Sequence, residues 1–486
     1  MALGTLPSRL DRHPPGHGRR NRRLWRMLSV AAICLTLATA STLIVYASTD
    51  SRRVVALALG ALFGLVLLLV LFLRFRTGFT VTWFIIFMIL IILFNRQFAH
   101  IALPKPPLYV TETTMGLVTV LLLIHKELSI PQTMRKWLVW VGVVMVCGIT
   151  VNGLKFGWLP VLRDSAELYY VWFVPLSYSI IRILGPHVRH IHVEWALAMA
   201  AWIIPLVYFV TRGSQLPADS ETICGMLVIA VVIWDWQTIP GFLVWPTIGL
   251  QFIMLLDWGA RGPWVGLGAG ILILLWLTKD AESYVKSRIL KRMGMVLGLL
   301  VWGGLVTWTA DPILLSHLVH DVQSLTTTHG SYSQVANNRW RLIIWTEALH
   351  QFISNPFAIR VGQPWAPIQL IALGYGGWNE SIGFGLNTVA VSNSYIQMLQ
   401  WYGIWAVVGM AGIVIGGIRR VLGRRTMAQM VVLSFLAMWA VVTGVEVVLE
   451  GPYMSAVIWC LIGFCYYYPE WTNIRADQGG ARREPD

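Results

Sequence analysis

Six arginines stand apart from the other basic residues: Arg163, Arg212, Arg261, Arg339, Arg341 and Arg360 lie at the ends of apolar runs or in one long polar stretch, outside the basic clusters. A guanidinium stays charged in a partly dry setting, and its planar fork grips phosphate or carboxylate oxygens in pairs. Several of them at a lipid–water boundary suit a phosphate or diphosphate, and a polyprenyl diphosphate carries its headgroup at that level. When a sugar–phosphate bond breaks, negative charge grows on the departing diphosphate. Fixed guanidinium groups stabilise that charge more in the transition state than in the ground state. Such chemistry needs no metal, and the polar stretches hold no acidic cluster suited to Mg²⁺. The competing reading of each arginine is snorkelling, or an ion pair with a neighbour such as Asp164, Asp219 or Asp257.

Other groups are weaker signals. Ser392 and Asn393 stand before an apolar run, where both residue types cap helix N-termini. A general base, if one is needed, could be Asp164, Glu347, Glu380 or His350. His317, His320, His329 and His350 lack ligand spacing. The five cysteines (Cys34, Cys147, Cys224, Cys460, Cys465) all lie in apolar segments, so neither a disulfide nor a metal site is expected. No cofactor is implied.

The elements that position these residues are apolar. The chain has 486 residues, of which 56% are hydrophobic and only 12% charged; a soluble domain carries about 25% charged residues. Runs long enough to cross a hydrocarbon layer of about 30 Å recur throughout. About fourteen candidate spans are read at 27–47, 54–73, 79–95, 108–124, 137–153, 168–184, 195–211, 222–236, 239–257, 263–278, 293–309, 394–417, 427–447 and 452–468. Asp235–Pro240 is the weakest division, where two short spans could form one irregular unit. The expected fold is an all-α polytopic membrane protein of about 12–14 transmembrane helices. Many of the 25 Trp residues flank apolar runs, as headgroup anchors do.

Residues 1–26 form a basic leader rich in Arg, Pro and Gly, expected to be disordered and cytoplasmic. Transmembrane helices follow over 27–309, a large loop over 310–392, the C-terminal helices over 393–468 and a tail over 469–486. With the N-terminus inside, Arg74, Arg76, Lys126, Arg135, Arg182, Arg189, Lys279, Arg288, Arg292, Arg419, Arg420, Arg424 and Arg425 all fall on one side. The positive-inside rule makes that side, and both termini, cytoplasmic. The net charge of +14 is thereby explained without nucleic acid. The six arginines and the large loop then face the extracytoplasmic side. In the loop, "RWRLIIWTEALHQFIS" shows helical spacing after possible N-caps at Asn337 and Asn338, and "SNP" at 354–356 ends it. A short amphipathic helix on the membrane face is expected, with Arg341, Glu347 and His350 on its polar side.

Three segments resemble the O-antigen ligase and O-antigen polymerase group of GT-C-type membrane glycosyltransferases. "DWGARGPWVGL" at 257–267 is similar to the family's small-Arg-Gly motif and places Arg261 at its first essential arginine. "RLIIW" at 341–345 with "NPF" at 355–357 is similar to the Arg-x-x-x-Trp helix and its stop, making Arg341 the second. "SNSYIQMLQWYGIWA" at 392–406 is similar to the His-Asn-x-Tyr-Leu segment and its Gly-x-x-Gly, carrying Asn393 and Tyr395. The family's histidine is Ser392 here, and the closing Gly is Ala406. Serine is no base near neutral pH and can only align a hydroxyl or phosphate oxygen; this favours a polymerase, or a ligase with another acceptor.

The resemblance implies an inverting, metal-independent glycosyltransferase of the plasma membrane, working at its outer face. Its partners would be a polyprenyl-diphosphate-linked glycan donor, a glycan or lipid acceptor, and membrane lipids. Arg261, Arg341, Ser392 and Asn393 would carry the reaction, with Arg163, Asp164, Arg212, Arg339, Tyr395 and Glu380 as further substrate contacts. The alternative is a polysaccharide or lipid transporter or flippase. Transporters place charge near the midplane, and Glu446 is the nearest candidate for that.

Overall fold

The computed structural model describes residues 76–99, 109–188, 190–211, 220–258, 261–279, 283–310, 332–360, 391, 393–422, 426–445, 449 and 452–480. The expected leader and first two spans lie outside these residues, as do Arg212, Glu380 and Ser392. For Arg163, Arg261 and Arg339 only the backbone is described. The chain divides into two compact units, 1–83 and 84–486, and everything below concerns the second, apart from the first residues of its leading helix.

Every element among the described residues is helical. In chain order they are α1 (Arg76–Ala99), α2 (Val110–Ile124), α3 (Gln132–Phe156), α4 (Trp158–Asp164), α5 (Ala166–Tyr170), α6 (Phe173–Leu184), α7 (His190–Thr211) and α8 (Ser220–Ile233). Then come α9 (Gly241–Trp258), α10 (Arg261–Thr278), α11 (Ser283–Ala310), α12 (Tyr332–Ser354), α13 (Ser394–Val421), α14 (Met427–Val445) and α15 (Pro452–Gly480). Among the described residues, five stretches are long and apolar enough to cross a membrane: Gln132–Phe156, Ala166–His187, Ile191–Phe209, Ser394–Val421 and Met427–Val445. Shorter apolar helices accompany them. Outward residues such as Val143, Val146, Leu154, Leu206, Leu272 and Leu297 are apolar and exposed, as lipid-facing surfaces are. The described residues form an all-helical, membrane-embedded protein.

Each candidate span within the described residues matches a helix, with differences at some ends: α11 begins at Ser283, ten residues before the span read at 293–309. The span read at 168–184 is interrupted at Val171–Trp172 and preceded by the short helix α4. The last helix continues to Gly480 instead of ending near 468. The helix of the large loop starts at Tyr332, so Asn337 and Asn338 lie inside it and not at its start.

Among the described residues α10 and α14 make the most extensive helix pair. Gly262, Gly266 and Gly270 recur every fourth residue on α10, and small residues at that spacing let backbones approach. A Cβ at Gly266 would stand 2.9 Å from Met438 O and 2.7 Å from Val442 Cγ2, and one at Gly270 would stand 3.1 Å from Ser434 O. As the α10 number rises by four, the α14 partner falls by four, so the helices run antiparallel. Continuing that register sets the start of α10, Arg261–Gly262, beside the last turn of α14.

α14 thereby orders the two ends of the bundle. Its 19 residues span about 28 Å. At its Met427 end, Arg288 pairs with Asp235 at 2.5 Å and reaches Met427 Sδ at 2.9 Å. Arg292 donates to Trp234 O at 2.6 Å and Val232 O at 3.1 Å, closing the carbonyl end of α8. The buried carboxylate of Glu194 accepts three backbone N–H bonds, from Gln237 (2.8 Å), Thr238 (2.8 Å) and Ile239 (3.1 Å). It fixes the turn at Asp235–Pro240, so α8 and α9 are two helices and not one irregular span. At this same end Arg420 donates to Thr133 Oγ1 at 3.0 Å. Arg288, Arg292 and Arg420, which the charge pattern assigns to one side of the membrane, therefore meet at one end.

Candidate functional site

At the other end of α14, segments far apart in sequence converge. α13 begins at Asn393, whose side-chain oxygen accepts from Tyr395 N and Ile396 N, both at 3.1 Å. Its amide nitrogen donates to Gly444 O at 2.7 Å. Asn393 is thus an N-cap and a bolt between α13 and α14 at once. One residue on, buried Ser394 accepts from Leu449 N at 3.4 Å. The Tyr395 hydroxyl donates to Ala440 O at 2.8 Å, a second bolt to α14.

Arg341 arrives from the loop helix. Its Nη1 donates to Val445 O at 3.3 Å, in the last turn of α14, where helix carbonyls have no intrahelical donors. Arg341 shares a stripe of α12 with the buried Ile344 and Ala348. This corrects the expected polar face: Arg341 points into the bundle, His350 lies on the opposite, exposed side with Leu342 and Ile353, and Glu347 is half-buried and accepts from Gln351 at 3.2 Å. Trp345 Nε1 donates to Val391 O at 2.7 Å, holding the chain just before Ser392.

Arg261, Arg341 and Asn393 are separated by 80 and 52 residues in sequence. The backbone of Arg261, the guanidinium of Arg341 and the amide of Asn393 nonetheless share the last turn of α14. Arg163 and Asp164 do not join them there. They end α4, whose Asp164 O accepts from Tyr402 OH at 2.7 Å, more than two helical turns along α13 from Asn393. Arg339 lies two residues before Arg341 in α12, about 100° per residue around the helix and hence off the Arg341 stripe.

Several polar residues at this end were not singled out in the sequence. Glu167, fully buried, accepts from Gln397 Nε2 at 3.0 Å. Gln400, also buried, donates to Gln351 Oε1 at 2.6 Å. Asn393, Gln397 and Gln400 fall on one side of α13 at helical spacing, a signal that was available. Glu112 accepts from Tyr169 at 3.1 Å and Tyr170 at 2.5 Å, tying α2 to α5.

The loop helix is locked to α13 where α13 breaks. Gly403 has φ 73° and ψ 179°, a conformation essentially confined to glycine, and a Cβ there would stand 2.7 Å from Ala358 O. The "NPF" stop fills the break: Ile404 N donates to Pro356 O at 3.4 Å and Trp405 Nε1 to Phe357 O at 3.0 Å. Arg360, fully buried, donates from Nη2 to Asn355 O (2.8 Å) and Gln351 O (3.1 Å) and from Nη1 to Gln400 O (3.1 Å). Burial lowers its pKa, but a guanidinium remains charged.

Among the described residues, no three His, Cys, Asp or Glu side chains are grouped to hold a metal ion. No protein-family model matches the chain, and no curated protein matches it in sequence.

Proposed function

We propose that this protein is a membrane glycosyltransferase of the O-antigen ligase and polymerase kind. In this reading it moves a glycan from a polyprenyl diphosphate onto a glycan or lipid acceptor at the outer face of the plasma membrane. One observation carries it: the three motif segments, remote in sequence, gather at the end of α14 opposite the basic loops. The positive-inside rule makes that end extracytoplasmic.

The acceptor hydroxyl attacks the anomeric carbon, the bond from that carbon to the diphosphate oxygen breaks, and configuration inverts. Arg261 and Arg341 hold the departing diphosphate, whose growing charge they stabilise. The hydroxyl proton passes to an oxygen of the departing diphosphate, because Asp164 lies more than two turns of α13 away from Asn393. Asn393 orients the site by fixing α13 to α14, and Ser392 stands next to it in the chain. His350, facing away from Arg341, takes no part.

The test is Arg261→Lys and Arg341→Lys in cells deleted for the native gene. Lysine keeps the charge and loses the fork. Each variant is expected to cut glycan transfer by at least about tenfold, short of the roughly hundred- to thousandfold that complete loss of one transition-state donor causes, while lipid-linked precursor accumulates. Normal surface glycan from both variants rejects the reading. Precursor trapped in the cytoplasmic leaflet would instead indicate a flippase.

A further inference from the structure

We propose that Arg360 is a positioning residue that holds the loop helix α12 in register, so that Arg341 stays at the last turn of α14. The proposal rests on the reading of Arg341 as a diphosphate ligand.

The argument starts at the break in α13. In an unbroken helix, Ile404 N–H would bond Gln400 O four residues earlier. Gly403 prevents this, which frees one donor and one acceptor in a buried place. The loop supplies both complements: Pro356 O takes the Ile404 N–H, and Arg360 Nη1 donates to Gln400 O. The other guanidinium nitrogen, Nη2, serves Gln351 O and Asn355 O at the carbonyl end of α12. There the orphan carbonyls and the negative end of the helix dipole favour a cation.

One side chain therefore spans two helices, with a separate nitrogen for each. The Gln351–Gln400 amide pair lies beside it. α12 is an arm of about 15 Å from Gln351 back to Arg341, and its inward stripe of Ile344 and Ala348 is buried along the way. Fixing one end of so short a rigid rod fixes the other. Lysine cannot replace this, because its single nitrogen occupies one of the two places and leaves the other helix without its donor.

The experiment uses the full chain in lipid nanodiscs with its cysteines replaced and spin labels at the exposed positions Leu342 and Val408. Double electron–electron resonance gives the α12–α13 distance distribution, and equilibrium dialysis gives the affinity for inorganic pyrophosphate. With Arg360→Lys and Arg360→Gln the distribution is expected to broaden. Pyrophosphate binding is expected to weaken by about tenfold, with little further loss when Arg341→Lys is added, because both changes remove the same contact. An unchanged distribution in both variants overturns the proposal, and so does a loss that adds fully to that of Arg341→Lys. Absence of folded protein in both variants also overturns it, since Arg360 would then support the whole bundle and not one arm. If wild type and Arg341→Lys bind pyrophosphate equally, the diphosphate reading of Arg341 falls, while the distance distribution still judges the clamp.

Discussion

At the scale of single residues, the chemistry-bearing types could be read in advance more easily than their tasks. Arg341 and Asn393 stood out because a guanidinium on the side where basic residues are scarce needs a reason, and because Ser and Asn before an apolar run suit a cap. Arg360 stood out on the first ground, yet its task is to close three carbonyls. That could not be seen without the break at Gly403, which turns Ile404 N–H away from Gln400 O to Pro356 O. Glu167 leaves no pattern in the sequence, as a lone acid in apolar context, until α5 and α13 meet, whereas Gln397 is legible from its helical spacing with Asn393 and Gln400. Gly403 itself gives a prediction. Gly403→Ala forces a Cβ into a left-handed φ and against Ala358 O, at a cost on the order of 1–3 kcal/mol for the backbone alone. The variant is expected to unfold several degrees below wild type in a detergent thermal melt, and its loop to be cut faster in limited proteolysis.

Among the elements, the helices themselves were legible because long apolar runs leave little choice. Their ends were not. α12 starts six residues before the first helical position that a cap at Asn337 would give, because a residue type that favours caps is also tolerated inside a helix. Its facing was misread for a related reason: Arg341 was assigned to water, but the unsatisfied carbonyl end of α14 is an equally good partner. The turn between α8 and α9 is the element whose integrity rests on one group. Glu194→Ala would strip three backbone N–H groups of their acceptor in a buried place, costing on the order of 3 kcal/mol or more. Little folded protein is expected from it by fluorescence-detected size exclusion. Glu194→Gln, which retains one acceptor oxygen, should be intermediate; wild-type yield from Glu194→Ala would show that the turn holds without the carboxylate.

For the whole molecule, charge placement anticipated which residues would gather at the same end, because Arg182, Arg288, Arg292 and Arg420 are all sorted by the same rule. The structure brings Arg288 and Arg292 to the Met427 end of α14 and Arg341 to the Val445 end. The orientation of the pair of ends is testable directly. A single cysteine at Glu127, on the basic side, is expected to resist a membrane-impermeant maleimide in intact spheroplasts, and one at Ser381, in the large loop, to react. The reverse pattern would invert the topology and place the arginine site in the cytoplasm.

The break in α13 also bears on how the protein is made. Two groups near it, the Ile404 amide and the Trp405 indole, find acceptors in the main chain of Pro356 and Phe357. In hydrocarbon an unanswered N–H is expensive. The Asn355–Ala358 segment leaves the ribosome before Gly403 does, so the plug is already synthesised when its socket emerges. Folding is thereby ordered: the end of α12 must be in place before α13 can settle. A fusion or epitope tag inserted between Phe357 and Arg360 should therefore be rejected by membrane quality control even though that stretch reads, in sequence, as a tolerant loop.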